Sequence, residues 1–254
     1  MFLVPAIMSM SIASEWNWAI LFLIASFVLV FLSYEPAVRL MRRWKNRGIL
    51  AKELLNWFLV FGGSGMIMGV TVLILYKQWS ALLFGCLIMM IMMIHLWLTV
   101  HKQNMSIPGK LVGVFGLTSS APFLYLFLHD RIDDQWRLIW LINFLYFAGS
   151  IFYLKLKLQI QPQLPEPLFI IKLKTALPLI VFNMILIILL WIIIWLYGYT
   201  ILLLLAFIPF VAKSFVGICT WQESKTLRTT RTGVFEIIHA LFFLIINMIA
   251  LRLY

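Results

Sequence analysis

Long uninterrupted apolar stretches dominate this chain and limit the folds that it can adopt. One of them, Ile185–Trp195, contains no polar residue at all. Hydrophobic residues make up 64% of the chain and charged residues only 11%, whereas about 25% of the residues in a soluble domain are charged. A soluble fold of this size cannot bury so much apolar surface, but a lipid bilayer solvates it. The sequence therefore predicts an integral membrane protein.

The apolar stretches indicate helices rather than strands of a membrane barrel. Both architectures satisfy the backbone in lipid, but barrel strands alternate in hydrophobicity over about ten residues, and these stretches are continuous. A spanning helix needs roughly 20 residues. The sequence predicts an all-α polytopic transmembrane bundle of about nine spans, eight full-length and a short first one, in a single membrane domain, residues 1–254. The predicted spans are Met1–Ala13, Asn17–Tyr34, Leu54–Tyr76, Trp79–Val100, Leu111–Leu128, Trp136–Tyr153, Ala176–Tyr197, Thr200–Cys219 and Val234–Leu251.

The basic residues predict the orientation of the chain in the membrane. The net charge is +11, and all but four of the 20 lysines and arginines lie in loops 35–53, 101–110 and 154–175 or in residues 213–231. In a chain of nine spans, all of these basic groups fall on one side of the membrane. Lys213 lies in the eighth span and extends toward that side. Basic loops face the cytoplasm, so the N-terminus is predicted inside. The preference of basic loops for the cytoplasmic side explains the net positive charge, so nucleic-acid binding is not needed to explain it. The predicted partners are membrane lipids.

Few ionisable residues fall inside the predicted spans, and such residues are functional candidates by default. Glu236 and His239 lie three apart on one face of the last span. The favoured interpretation is an ion pair near the cytoplasmic interface, with Arg231 as one partner, and a substrate-facing role is the alternative. Glu-x-x-His also occurs in di-iron bundles, but these need a second copy and further glutamates. We therefore predict no metal site and no other cofactor.

Three further features concern helix packing. Gly62, Gly63, Gly65 and Gly69 form a small-residue stripe, which favours close internal helix contact. Thr118–Pro122 interrupts the fifth span; a proline kink is favoured, and a cavity bordered by the break is the alternative. His95 is interpreted as a packing histidine.

Four stretches of the chain resemble the YwiC-like family of bacterial membrane proteins. They are Phe2–Ile7, Thr118–Pro122 with the span that follows, Asn143–Lys157, and Thr232-Gly233 through Glu236. The resemblance covers most of the chain, and it implies a location in the bacterial cytoplasmic membrane. The family's nine-helix pattern is in turn similar to the UbiA-type prenyltransferase fold, so the resemblance implies a UbiA-like bundle.

The resemblance to UbiA-type enzymes does not extend to their catalytic motifs. Those enzymes hold magnesium and a prenyl diphosphate with aspartate-rich motifs in the cytoplasmic loops after helices two and six. The matching loops here, 35–53 and 154–175, contain no aspartate. The resemblance thus implies an anionic-lipid- or isoprenoid-binding protein without that chemistry. The candidate headgroup and cavity residues are Glu35, Arg39, Arg42, Arg43, Lys155, Lys157, Glu236 and His239.

Two other functions stay open at this point. An atypical membrane transferase would use Glu35, Glu236 or His239 as its acid and base groups. A small-molecule transporter would show repeats with paired broken helices, and no clear repeat of this kind is visible. The sequence does not decide whether the protein is an enzyme, although it favours a protein without catalytic activity. It also does not determine the ligand or the oligomeric state.

Overall fold

The structure, a computed structural model, describes residues 3–12, 17–48, 51–103, 106–164, 168–221 and 229–252, without the side chains of Arg47 and residues 229–232. All regular structure in these ranges is helical, which confirms the all-α prediction. The first helices are α1 (Leu3–Ile12), α2 (Ala19–Arg47), α3 (Lys52–Phe58), a π-helical turn Leu59–Gly63, α4 (Ser64–Leu75), α5 (Trp79–Val100), α6 (Ile107–Thr118) and α7 (Ser120–His129). The later ones are α8 (Asp134–Lys155), a π-helical turn Leu156–Ile160, a 3₁₀ turn Gln161–Gln163, α9 (Phe169–Tyr197), α10 (Leu202–Cys219) and α11 (Thr229–Arg252).

Eight helical stretches in the described residues are long and apolar enough to cross a membrane, and α1 is a shorter apolar helix. This confirms the predicted eight full-length spans and short first one. A short connection joins α9 to α10. Gly198 ends α9 in the left-handed region (φ 68°), where its N–H bonds to the Ile194 carbonyl. Glycine adopts this conformation without the steric penalty that a Cβ brings.

Two helices are longer than the sequence predicted. α2 continues beyond Tyr34, through Pro36, to Arg47, so the arginines predicted in a loop lie on a helix. The fall in hydropathy at Glu35 marks the end of the apolar stretch but not of the helix, because Arg, Lys and Leu are good helix formers. Likewise, residues 169–174, which the sequence placed in loop 154–175, form the first turns of α9.

The chain divides into two compact units. The first unit is Ala13–Trp140, and the second combines Leu3–Ile12 with Leu141–Tyr254. The single membrane domain predicted from the sequence stays a prediction.

In the first unit the glycine stripe packs against α2. Ser26 Oγ donates a hydrogen bond of 2.7 Å to the Gly65 carbonyl of α4. A Cβ at Gly69 would lie only 2.6 Å from Ser26 Oγ, and one at Gly62 would lie 3.2 Å from Ser33 Oγ. α2 and α4 are therefore antiparallel and in close contact, as the stripe predicted. Only Gly63 faces open space among these four glycines.

In the second unit the core is aromatic and surrounds Gly149 of α8. A Cβ at this position would overlap the Phe210 ring and lie 2.8 Å from the Phe182 ring, so the close packing needs glycine. Tyr146, one turn away, stacks on Phe243 of α11 with 4.0 Å between ring centroids. These rings join α8 to α9, α10 and α11.

Each unit keeps its basic segments at one end. In the first unit Arg42 contacts Thr99 at the end where loops 35–53 and 101–110 lie, and Tyr76 bonds to Asn17 at the other end. In the second unit Lys157 contacts Thr220 at one end, and Arg252 bonds to Ser11 at the other. This arrangement within each unit is the one that the charge pattern predicts, and the cytoplasmic orientation stays a prediction.

Candidate functional site

The first unit contains an apolar cavity of about 540 Å³ between α2, α4, α5 and the α6–α7 kink. Methionines contribute much of its lining. Glycines and serines, whose side chains are small, leave space between the helices. Methionine is flexible and polarizable, so it adapts to ligands of irregular shape. Among the lining residues are Phe27, Val30, Met66, Gly69, Cys86, Met89, Met92 and Ser120.

One wall of the cavity is the kink between α6 and α7. Pro122 has no N–H to donate to the Thr118 carbonyl, but the backbone stays helical on both sides. Ser119 N bonds to the Phe115 carbonyl and Phe123 N to the Ser119 carbonyl, each at 3.1 Å. The Thr118 hydroxyl bonds back to the Val114 carbonyl at 2.9 Å, a contact that often bends helices. The helix is thus interrupted at Ser119, where the sequence favoured a proline kink, and the cavity lies beside this interruption.

A chain of hydrogen bonds joins α2 to α5 at the basic end of the first unit. Tyr34 Oη lies 2.9 Å from His95 Nδ1 and 2.7 Å from Thr99 Oγ1. The Thr99 hydroxyl donates to the His95 carbonyl at 2.8 Å, and Arg42 Nη2 donates to the Thr99 carbonyl at 2.8 Å. We call Tyr34, His95 and Thr99 the Tyr34 network. Such bonds stabilise helix contacts in membranes.

The arginines predicted to bind a headgroup differ in what they contact. Arg39 pairs with Glu35 at 2.8 Å, and both side chains are more than 60% exposed, so the pair contributes little. Arg42 binds a carbonyl in the last turn of α5, where the helix carries partial negative charge, and its buried Nε has no hydrogen-bond partner among the described residues. Arg43 is exposed. Arg42 therefore serves in part as a helix cap.

The second unit contains a buried ion pair between α10 and α11. Lys213 Nζ lies 2.7 Å from both carboxylate oxygens of Glu236, and the two side chains are only 9% and 22% exposed. The Ser150 hydroxyl donates to the same carboxylate at 3.3 Å. The Lys213 ammonium also lies 4.9 Å from the centre of the Tyr153 ring, a cation–π distance.

The ion pair predicted for Glu236 is thus present, with a different partner. The sequence predicted that Lys213 extends to the basic side, but it turns to Glu236, because a carboxylate within reach neutralises its charge inside the unit. The side chain of Arg231, the predicted partner, lies outside the described residues. His239 follows Glu236 by one turn, and its buried Nδ1 has no hydrogen-bond partner among the described residues. No group of three metal-ligating side chains occurs in the described ranges.

Lys157, predicted to bind a headgroup, caps the C-terminus of α10. It is 7% exposed, and its Nζ donates to the Thr220 carbonyl at 2.8 Å. The fully buried Gln161 donates to the Gly217 carbonyl, also at 2.8 Å. A cation near the last carbonyls of a helix stabilises it. Lys157 therefore satisfies a helix end, whereas Lys155, two residues earlier, stays partly exposed.

Residues 1–125 match the family model described as YwiC-like protein. This segment, just under half of the chain, is similar to the YwiC-like family. No curated protein and no solved structure matches the chain. The match confirms the predicted resemblance for these residues, and the more distant UbiA-like similarity stays a prediction.

The YwiC-like segment contains the cavity, the Tyr34 network and four of the eight candidate residues, Glu35, Arg39, Arg42 and Arg43. The other four, Lys155, Lys157, Glu236 and His239, belong to the second unit. Sequence reasoning missed Gln161 and the contact of Lys213 with Glu236. The signal for Lys213 was present, since a lysine within an apolar span needs a partner.

Proposed function

We propose that this YwiC-like membrane protein binds a lipid by taking one hydrocarbon chain, acyl or isoprenoid, into the cavity of the first unit. The observation that carries the proposal is the cavity itself. Its volume of about 540 Å³ falls in the range of roughly 300–1,000 Å³ that is usual for ligand sites. Its lining is almost wholly apolar, and the helical stretches that form it are long and apolar enough to span a membrane.

We propose binding rather than group transfer because both carboxylates among the acid and base candidates already have partners. Glu35 pairs with Arg39, and Glu236 is held by Lys213 and Ser150. The loops that would carry aspartate-rich motifs contain no aspartate. A UbiA-like binding protein without transferase chemistry fits these features.

Filling the cavity is expected to expel the lipid. The two cysteines offer a matched pair of positions, because both are exposed but only Cys86 lines the cavity. Cys86→Trp places an indole ring in the space that the hydrocarbon chain of the lipid would occupy. We expect it to lower the amount of lipid recovered per protein molecule by about tenfold. This loss corresponds to about 1.4 kcal/mol of binding free energy. The measurement is mass-spectrometric quantification of the lipids extracted from protein purified in mild detergent.

Cys219→Trp is the control, since it makes the same change at an exposed position at the end of α10. It should leave the amount and the composition of the bound lipid unchanged. Equal lipid recovery from folded Cys86→Trp and Cys219→Trp proteins would refute the cavity as the binding site.

A further inference from the structure

The Tyr34 network lies on the cavity faces of α2 and α5. On α2, Tyr34 follows the lining residues Val30 and Phe27 by four and seven positions. On α5, His95 follows Met92 and Ile88 by three and seven positions. Residues at these spacings share one face of a helix, and one turn rises about 5.4 Å. The Tyr34 network therefore lies about one turn beyond these lining residues, and we call its position the polar end of the cavity.

The third wall of the cavity reaches the same polar end. Gly113 of α6 precedes the lining residues Gly116 and Leu117 by three and four positions. A Cβ at Gly113 would lie 2.8 Å from His95 Nε2, so the imidazole occupies the space that a side chain there would need. Three helices of the cavity wall thus converge on the His95 ring.

The hydrogen bonds determine which ring nitrogen of His95 can accept. The Thr99 hydroxyl gives its hydrogen to the His95 carbonyl, since a carbonyl only accepts. Tyr34 then donates to Thr99 Oγ1, and His95 Nδ1–H donates to Tyr34 Oη. In the neutral ring this leaves the lone pair on Nε2. The polar end of the cavity therefore offers a hydrogen-bond acceptor.

Two arginines beside this end donate to oxygen atoms of the protein, and the Nε of Arg42 has no partner among the described residues. Arg42 donates to the Thr99 carbonyl, and Arg39 pairs with Glu35. A hydroxyl can donate a hydrogen bond to the Nε2 lone pair, whereas a doubly ionised phosphate has no hydrogen to donate to it.

We propose that the lipid bound in the cavity has an uncharged hydroxyl headgroup, which donates a hydrogen bond to His95 Nε2. The inference rests on the proposed function, because it names the headgroup of the same ligand. Tyr34 and Thr99 position the His95 ring, and the apolar cavity takes the hydrocarbon chain.

The test is a competition between two single-chain lipids that differ only in the phosphate, farnesol and farnesyl phosphate. Purified protein is exchanged with an equimolar mixture, and the bound species are counted by native mass spectrometry. We expect the wild type to retain farnesol about tenfold over farnesyl phosphate, the ratio that one hydrogen bond of about 1.4 kcal/mol gives. His95→Leu removes the acceptor and should lower this ratio to about one, whereas His95→Gln keeps an acceptor and should preserve a preference.

Tyr76→Phe is a matched control for Tyr34→Phe. Tyr76 bonds to Asn17 at the opposite end of the unit, so only the Tyr34 variant should lower the farnesol ratio. A wild type that binds both lipids equally, or that prefers the phosphate, overturns this inference and leaves the proposed function standing. A ratio unchanged in folded His95→Leu protein also overturns it. If the wild type retains neither lipid, both proposals fail.

Discussion

Glu236→Gln is expected to lower the free energy of unfolding by about 3–5 kcal/mol, the usual effect of removing one partner from a buried ion pair. The glutamine leaves the Lys213 ammonium buried without a counter-charge, beside the Tyr153 and Phe210 rings. Chemical unfolding in detergent, followed by tryptophan fluorescence, measures the loss. The yield of monodisperse protein should fall with it.

The double variant Lys213→Met, Glu236→Leu separates charge burial from other effects. Replacing a buried pair by apolar residues of similar size is often neutral or stabilising, so it should recover most of the lost stability. Glu53→Gln makes the same chemical change at an exposed position of α3 and should change stability by less than about 1 kcal/mol. A Glu236→Gln protein as stable as Glu53→Gln would show that the pair does not hold α10 and α11 together.

Gly65→Leu is expected to separate α2 from α4 and to destabilise the first unit by about 3 kcal/mol, the upper range for overpacking. A Cβ at Gly65 would already lie 3.0 Å from the Ser26 carbonyl and 3.0 Å from Leu29 Cβ. Backbone cannot move aside as a flexible side chain can, so the helices must shift. The shift would also break the bond from Ser26 Oγ to the Gly65 carbonyl.

The control lies in the same glycine stripe. Gly63 has no atom within 4 Å of an added Cβ, so Gly63→Leu should preserve stability. Thermal unfolding of both variants in detergent makes the comparison. If the Gly65→Leu protein unfolds at the same temperature as the Gly63→Leu protein, the close contact of α2 and α4 is wrong.

The sequence predicted the spans well because hydropathy reports directly on burial in lipid. Trp79–Val100 has the predicted bounds, and the turn at Gly198 follows from glycine chemistry. The end of α2 was missed because a helix can continue beyond the apolar stretch on backbone hydrogen bonds alone. Its last turns carry Arg39, Arg42 and Arg43, which hydropathy assigns to a loop.

The candidate site was predictable only where local sequence determines it. The need for a partner at Glu236 follows from its place in an apolar span, but the identity of that partner, Lys213, depends on how α10 packs against α11. Lys157 shows the same limit: its charge suggested a headgroup, whereas the position of the α10 C-terminus makes it a cap. The sequence predicted the cavity only as the alternative to a simple kink at Pro122. The methionines that line the cavity gave no further indication, because they are equally typical of ordinary packing.

The family match and the cavity lie in the same half of the chain. The YwiC-like match ends at residue 125, within α7, and includes every residue of the cavity lining. The features that we connect with lipid binding thus lie where the family match lies.

Native mass spectrometry of the intact wild-type protein, released from mild detergent, tests the central claim most directly. We predict that one lipid molecule per protein chain, of a single class, stays bound after release from the detergent. This lipid should be absent from the Cys86→Trp protein. A statistical mixture of host lipids, equally abundant on both proteins, would contradict a lipid-binding cavity in the first unit.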